Sequence, residues 1–439
     1  MLAGNVSLTL GGRNPEWLCA KESTSRGPAR AKRCLMLFLW GGPAHQDLWD
    51  MKPLAPSEYR GEFQPIPTVT PGIEICEHLP HLAKQTDKIC FLRSLTHSDN
   101  NHSTSAHWML TGHKHSVSAE NFNARGDDFP HIGSVLTKLS PSLKSLPTFV
   151  ALPEQIATTI GAVTPGQGGG ILGAKYDPFR IDQHPDEKDF EVPNLSLPTG
   201  VTTDRMDSRM ALLSWFDRNR PPLDGNQREA IGAFQTRAIE LLTSTHAQQA
   251  FDLQSEPASH REKYGTGTFG QGLLLARRLL EAGVKLVTVY WHRDDPGVDT
   301  TWDTHSNNFG QLKDRLIPQV DRPIATLLQD LEDRGMLEDT LVIWNSEFGR
   351  TPKINNNRAG RDHWGKCNTV WLAGAGIPGG TVHGRSDSIA SAPDDYPISP
   401  EDFTATIYHL LGLNPRTEIY DRLQRPFPLS DGRVLHEIL

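Results

Sequence analysis

The stretch that most constrains the fold of this chain is an apolar run that ends in charged side chains. Thr340–Trp344 is rich in β-branched and aromatic residues, which is typical of a strand buried on both faces of a parallel sheet. Glu347 and Arg350 follow directly after the run. Open α/β sheets bind ligands just beyond the carboxyl ends of their strands, so this position predicts a binding site. The plainer alternative is a Glu347–Arg350 ion pair beneath an ordinary loop.

Similar apolar runs recur along the chain and alternate with amphipathic segments. Further strands are predicted at Cys34–Trp40, Lys88–Leu92, Phe149–Leu152, Val284–Trp291 and Thr369–Leu372. Helices are predicted at Glu77–Thr86, Phe269–Ala282, Phe309–Arg334 and Pro400–Leu411, the third of them kinked around Pro318 and Pro323. This alternation predicts an α/β fold with a mostly parallel central sheet flanked by helices.

The chain divides into an N-terminal arm, a large domain and an insertion. Residues 34–439 form the predicted α/β domain, and residues 176–270 form a helical insertion within it. Helical periodicity there covers Met206–Asn219, Gln227–Thr245 and Gln248–Leu253. Residues 1–33 are basic and rich in small residues. We expect them to be either a flexible arm of a cytoplasmic protein or the end of an export leader, which would make the protein periplasmic.

Composition excludes several classes of protein. The net charge of -8 argues against nucleic-acid binding, which relies on clustered lysine and arginine. The five cysteines are scattered and have no CxxC spacing, so neither a disulfide framework nor a zinc knuckle is predicted. No apolar run is long enough for a transmembrane helix. The oligomeric state is left open.

Four clusters of acidic and imidazole side chains follow predicted strands or begin a predicted helix. They are His45 with Asp47, His102 and His107 with Ser103, Asp303 with His305, and Glu347 with Asp362 and His363. Strand ends of one parallel sheet meet at one edge, so we expect a single convergent site. Its ligand chemistry suits one or two divalent ions such as zinc, manganese, iron or calcium. Arg350 is expected to hold an anionic oxygen of a substrate.

The second of these clusters lies in a segment dense in histidine. Thr96–Ser116 contains five of the 18 histidines of the chain. Ser103 lies where a helix is expected to begin, so its hydroxyl would meet free N–H groups and the positive end of the helix dipole. Ser103 could instead be an ordinary N-cap, and the histidines could be solvated. A later segment, Thr164–Gly173, contains PGQGGGILG but lacks the Lys-Ser/Thr of a phosphate-binding loop. We therefore predict a flexible loop there.

The motifs LFLWGGPAHQDLWDMKP, SLTHSDNNHSTSAHWMLTGH, WDTHSNNF, SEFGRTP and GRDHW resemble those of a bacterial domain-of-unknown-function family, number 1501. The resemblance covers roughly residues 31–439. That family is placed in the alkaline-phosphatase-like superfamily with sulfatases, phosphopentomutase and cofactor-independent phosphoglycerate mutase. Many of its members carry a twin-arginine export leader, which favours the leader interpretation of residues 1–33.

Site residues are carried over from the superfamily one by one. Ser103 matches its helix-opening nucleophile, and His363 matches its late histidine. The strand-end Asp-His-Gly of the superfamily resembles Glu347-Phe348-Gly349. Phe348 lies where a metal-binding histidine is expected, and Asp362 is the candidate to replace that histidine. The spaced Asp and His ligands resemble Asp303 and His305, and the first-strand Asp resembles Asp47. No Cys-x-Pro-x-Arg or Ser-x-Pro-x-Arg occurs, which disfavours formylglycine sulfatase chemistry.

The resemblance implies a metal-dependent hydrolase of phosphate or sulfate esters. Ser103 would attack the ester, the ligands named above would hold the metal, and Arg350 with His102 or His107 would steady the negative oxygens. The substrate would be a small-molecule or polysaccharide ester. Two alternatives stay open: an inactive relative that binds a sulfated or phosphorylated polysaccharide, and a phosphomutase relative.

Overall fold

The computed structural model describes residues 30–142, 146–193, 195, 202–219, 241–293 and 301–439. Most of the predicted N-terminal arm and of the predicted helix Gln227–Thr245 therefore lies outside the described residues. No described helix combines the length and apolar character needed to cross a membrane. The four described cysteines are buried and unpaired.

One eight-stranded sheet forms the centre of the molecule. Its strands are β1 (Arg33–Phe38), β2 (Ile89–Leu95), β3 (Phe149–Leu152), β4 (Phe179–Arg180), β5 (Leu286–Tyr290), β6 (Thr340–Asn345), β7 (Asn368–Ala373) and β8 (Thr381–His383). Their order across the sheet is β8-β2-β7-β6-β1-β5-β3-β4. All described pairings are parallel except those of β7, which runs antiparallel to β2 and β6. The predicted mostly parallel α/β sheet is confirmed.

Helices cover the sheet and connect its strands. They are α1 (His45–Leu48), α2 (Ser57–Arg60), α3 (His102–Thr111), α4 (Ile132–Leu139), α5 (Thr203–Asn219), α6 (Thr245–Phe251), α7 (Ala258–Lys263), α8 (Thr268–Ala282), α9 (Asn308–Gln311), α10 (Asp321–Asp333) and α11 (Pro400–Leu410). Within residues 176–270 the described elements are mostly helical, with β4 at the sheet edge. The separation of that region as an insertion stays a prediction.

Proline accounts for two differences from simple helical periodicity. The predicted helix Glu77–Thr86 is wrong: only the short 3-10 turns Leu82–Lys84 and Thr86–Lys88 form. Pro80 lacks a donor and disfavours the helical conformation of Leu79, so a helix cannot run through them. The predicted break in Phe309–Arg334 is confirmed, because a π-helical turn and a 3-10 turn at Ile317–Gln319 separate α9 from α10.

The centre of the sheet is packed with aromatic rings. β1 and β6 are adjacent and in parallel register, with Phe38 opposite Asn345, and every residue of β6 is buried. Trp344 stacks on Trp371 of β7, with ring centroids 5.9 Å apart, and meets Trp49 edge to face at 5.2 Å. Side chains buried on both faces hold the carboxyl ends of β1 and β6 rigidly, and the candidate site lies just beyond those ends.

Candidate active site

Gly41, just after β1, brings the ends of the two central strands together. Its φ of +111° is accessible mainly to glycine, and an added Cβ would lie 2.4 Å from the backbone nitrogen of Asp303. Its N–H donates to Oε1 of Glu347, 2.7 Å away, and Glu347 follows β6. The tight turn therefore places the Glu347 carboxylate and the segment that carries Asp303 side by side.

Three histidines direct a ring nitrogen at the Asp303 carboxylate. Nε2 of His102 lies 3.2 Å from Oδ2 of Asp303. Nε2 of His363 and Nε2 of His305 each lie 3.1 Å from Oδ1. The latter two nitrogens are only 2.8 Å apart. Among the described residues, His102, Asp303 and His363 offer ligand atoms that all lie within 4.8 Å of one another.

The second nitrogen of each ring is held by another group. Nδ1 of His102 lies 2.6 Å from Oε1 of Glu347, and Nδ1 of His305 lies 2.6 Å from Oδ1 of Asp362. Nδ1 of His363 donates to the backbone carbonyl of residue 100, at 2.8 Å. Histidines that bind metals donate their other N–H to carboxylates or carbonyls in this way, which fixes the ring and leaves the opposite nitrogen facing the ion.

Arg350 lies behind Asp303 and is fully buried. Its guanidinium donates to Asp303 and to the carbonyls of Gly41, Gly42 and Arg361. The antiparallel pair Gly349–Arg350 and His363–Trp364 places Arg350 opposite His363. Arg350 therefore fixes the carboxylate and links the two loops. Its predicted contact with a substrate oxygen stays a prediction, and four of its hydrogen bonds are already made within the protein.

The charges of the four groups depend on one another. Burial opposes the ionised form of Asp303, but Arg350 and the three histidines hold its pKa well below the usual range. Burial also opposes charge on His102, yet hydrogen bonds to Asp303 and Glu347 raise its pKa to about 10. The pKa of His305 is raised by its bond to Asp303, whereas burial lowers that of His363 to about 4. His102 therefore carries a positive charge at neutral pH, and a divalent cation bound there would replace its proton.

The site is deep on one side and open on the other. Glu347 is fully buried, and its second oxygen, Oε2, has no partner among the described residues. The side chains of His305 and Asp362 are 41% and 51% exposed. The convergent group is therefore open to solvent on the side of His305.

The family model described as "Protein of unknown function (DUF1501)" matches residues 31–439. The chain belongs to this family. No curated protein matches its sequence. Solved structures with a related arrangement of elements include the PsFucS1 sulfatase of Pseudoalteromonas sp., at 12% identity and a TM-score of 0.38, covering 87% of this chain and 68% of that one.

Two further solved structures also resemble this chain in the arrangement of their elements. One is the phosphonate monoester hydrolase SpPMH of Silicibacter pomeroyi, at 13% identity and a TM-score of 0.41, covering 93% and 76% of the two chains. The other is an alkaline phosphatase superfamily protein of Vibrio parahaemolyticus, at 10% identity and a TM-score of 0.38, covering 89% and 69%.

In this DUF1501 protein, α3 brings His102 rather than Ser103 into the convergent group. Asn101 is the N-cap residue, so Ser103 is not the cap of the helix. Ser103 is fully buried, and its Oγ accepts a hydrogen bond from the N–H of Phe122 at 3.3 Å. His107 lies five residues after His102 in α3. Its Nε2 accepts a hydrogen bond from the N–H of Phe129. Burial and the neighbouring histidines lower the pKa of His107 to about 3.

Asp47 is part of a separate buried ion pair. Its two oxygens accept from Arg361 at 2.7 and 2.8 Å, and Oδ2 also accepts from Asn308 at 2.8 Å. Arg361 and Asp47 are both buried. Because both oxygens are already bonded, the geometry gives Asp47 a structural role and not that of a ligand in the convergent group.

Phe348 packs among the histidine rings. Its ring centroid lies 4.9 Å from that of His102 and 4.6 Å from that of His363. It therefore restricts the rotation of the two rings. Asp362, predicted as a substitute ligand for this position, bonds Nδ1 of His305 instead.

Two contacts of the site were not predicted from the sequence. The carbonyl of residue 100 that holds His363 is a backbone group, and no sequence signal marks it. Glu120 accepts the N–H of His102 at 2.8 Å, at the beginning of α3. A lone acidic residue in a loop carries no signal that could have identified this contact.

Proposed function

We propose that the protein is a metal-dependent hydrolase of phosphate or sulfate esters. The observation that supports this most is the convergence of three histidine Nε2 atoms on Asp303, each ring held from behind. Imidazole and carboxylate donors without cysteine fit zinc or manganese. His102, Asp303, His305 and His363 would hold the ion, and Glu347 and Asp362 would orient two of the rings.

A bound divalent ion in such a site polarises an ester oxygen and lowers the pKa of a nucleophile. The residues of the chain supply the rest. Arg350 keeps the Asp303 carboxylate in place, and Phe348 limits movement of His102 and His363.

We further propose Ser103 as the nucleophile, as its helix-opening position implies. Attack of its Oγ on the central phosphorus or sulfur would form a bond to serine and break the bond to the leaving alkoxide, which would take up the hydroxyl proton and depart as the alcohol. Water would then release phosphate or sulfate and restore the hydroxyl. Because Ser103 is fully buried and its Oγ accepts from the N–H of Phe122, the segment around Phe122 would have to move for a substrate to reach it. If the mechanism holds, Ser103→Ala loses roughly 1,000-fold or more of the activity.

The proposal is tested by measuring metal content and turnover of aryl phosphates and aryl sulfates. Wild type is expected to carry metal and to hydrolyse at least one ester class, and His363→Ala is expected to lose both. His436→Ala, which removes an exposed histidine outside the site, is the matched control and is expected to behave as wild type. A wild-type protein that carries no metal after incubation with zinc and manganese, and hydrolyses neither ester, would overturn the proposal.

A second candidate function is binding of a sulfated or phosphorylated polysaccharide without catalysis. The apolar ring of Phe348, packed where a ligating histidine is expected, favours it. This alternative predicts that the metal-supplied protein retains such a polysaccharide and releases no sulfate or phosphate from it. Turnover of either aryl ester would rule it out.

A further inference from the structure

A cavity lies beside α3, away from the convergent histidines. Its volume is about 500 Å³, within the range of roughly 300–1,000 Å³ typical of small-molecule sites. Three arginines from distant parts of the chain line it: Arg125, Arg180 and Arg422. We call it the arginine cavity.

The floor of the arginine cavity is the glycine-rich segment 166–170, which the sequence predicted to be a flexible loop. The structure shows it packed. A Cβ on Gly166 would lie 2.9 Å from Cα of His107, and one on Gly170 would lie 2.1 Å from the carbonyl oxygen of Asp128. The Gln167 side chain is buried and bonds the backbone N–H and C=O of Ile156. The floor is therefore fixed before any ligand arrives.

The charges in the cavity favour an anion. The two carboxylates that line the cavity accept hydrogen bonds from backbone groups of its own wall. Asp177 accepts from the N–H of Gly169 at 2.6 Å, and Asp128 accepts from the N–H of Arg125. Among the described residues, the ion pair of Arg180 is an exposed contact to Asp182 at 3.6 Å, which is worth little in water. Guanidinium groups in such a cavity suit a sulfate or phosphate, which they bind through paired hydrogen bonds.

Neutral groups in the cavity suit a hydroxyl-rich molecule. The polar side chain of Gln155 lines it, together with Thr164. Phe129 also lines the cavity, but His113 stacks on its ring with centroids 3.8 Å apart. The ring face of Phe129 that His113 covers is therefore not open to a nucleobase, whereas sugar hydroxyls meet hydrogen-bonding groups in the cavity.

Two contacts connect the arginine cavity to the candidate active site. Gly166 packs on α3 at His107, which is about 7.5 Å along the helix axis from His102. The guanidinium of Arg125 lies 4.4 Å from the ring centre of Phe122, whose N–H bonds Ser103. The arginine cavity and the candidate active site therefore contact the same helix and the same loop around Phe122.

We propose that the arginine cavity binds a second anionic group of the substrate, so that the substrate is a sugar carrying at least two sulfate or phosphate groups. This inference rests on the proposed hydrolase function for the step at the first group. The binding itself does not depend on catalysis.

The test measures equilibrium binding of the full-length protein to one disaccharide that carries no, one or two sulfate groups, with a phosphorylated series in parallel. The intact mass of the sugar is checked after each titration. Affinity is expected to rise with each anionic group, and a preference for either series identifies the ester class. The double variant Arg180→Gln/Arg422→Gln is expected to weaken binding of the doubly charged sugar at least about 10-fold.

Arg385→Gln is the matched control, because this exposed arginine does not line the cavity, and it is expected to bind as wild type. Turnover of a small aryl ester is expected to stay within twofold of wild type in all variants. Equal affinity for the uncharged and doubly charged sugars, or unchanged affinity in the double variant, would overturn the subsite. Loss of the subsite with aryl ester turnover intact leaves the hydrolase proposal standing. Arginine-dependent binding without turnover supports the subsite and refutes the hydrolase.

Discussion

Glu347 lies 2.6 Å from His102, bonded through Oε1 to Nδ1, although the two residues are 245 positions apart in the chain. The carboxylate is completely buried and also accepts the N–H of Gly41. It therefore acts on the site through the ring of His102, which directs Nε2 toward Asp303. In the proposed metal site, Glu347 would therefore orient the ring of His102.

The first prediction concerns proton release when the metal binds. Because the pKa of His102 is about 10 in the protein without metal, its ring is protonated at pH 8 and has to lose that proton to bind an ion. Calorimetric titration with zinc in buffers of different ionisation enthalpy is expected to show about one proton released from this ring. In Glu347→Gln fewer protons are expected to be released, and affinity is expected to fall roughly 10–100-fold. Unchanged proton release in this variant would contradict the assignment.

The second prediction concerns the alkaline stability of the metal-free protein. The pKa of His102 is raised from about 6.5 to about 10 on folding, so its contribution to stability is fully present below pH 6.5. That contribution is lost as the pH rises from 6.5 to 10. Urea unfolding in the presence of a chelator is expected to show this loss, and Glu347→Gln is expected to reduce it, with the part due to Asp303 remaining. Stability that does not change between pH 6.5 and 10 would argue against the buried charge.

The third prediction concerns the stability of the folded protein at low pH. Burial lowers the pKa of His363 to about 4 and that of His107 to about 3. The folded protein keeps both rings neutral while the unfolded chain takes up protons below about pH 6.5, so stability falls as the pH drops from 6.5 toward 3. The same urea measurements carried to pH 4 test this. Bound metal is expected to delay the loss at His363, and no such delay is expected at His107.

The strands could be predicted from the sequence because parallel strands buried on both faces are continuous apolar runs. Thr340–Trp344 and Phe149–Leu152 match the observed strands to within a residue. Because such strands end at one edge, the sequence also predicted that Asp303, His305 and His363 meet. For these residues, the apolar runs in the sequence and the arrangement of the strands predict the same site.

The individual roles within the site could not be predicted, because they depend on pairings between distant residues. Asp47 was predicted as a ligand, but its partner Arg361 lies 314 positions away and only the fold shows that the two meet. His102 was predicted to steady substrate oxygens, and the direction of its ring depends on Glu347. Phe348 looked like the loss of a ligand, whereas in the structure it is a packing surface for the neighbouring rings.

The fourth prediction separates the structural from the ligand role of Asp47. Asp47→Ala leaves the buried Arg361 guanidinium without its carboxylate, which costs roughly 3–5 kcal/mol of unfolding free energy. Metal stoichiometry of the folded variant is expected to equal that of wild type, whereas Asp303→Ala is expected to lose the metal. Loss of metal from Asp47→Ala at a temperature where circular dichroism shows it folded would return Asp47 to the ligand set.

The central claim is that one cation lies between the three Nε2 atoms and Asp303. The most direct test is anomalous scattering from crystals of the full-length protein grown with zinc or manganese. The account predicts an anomalous peak bonded to His102, Asp303, His305 and His363, with Glu347 bonded to His102 and not to the ion. The absence of a peak there, or a peak at Asp47 instead, would contradict it.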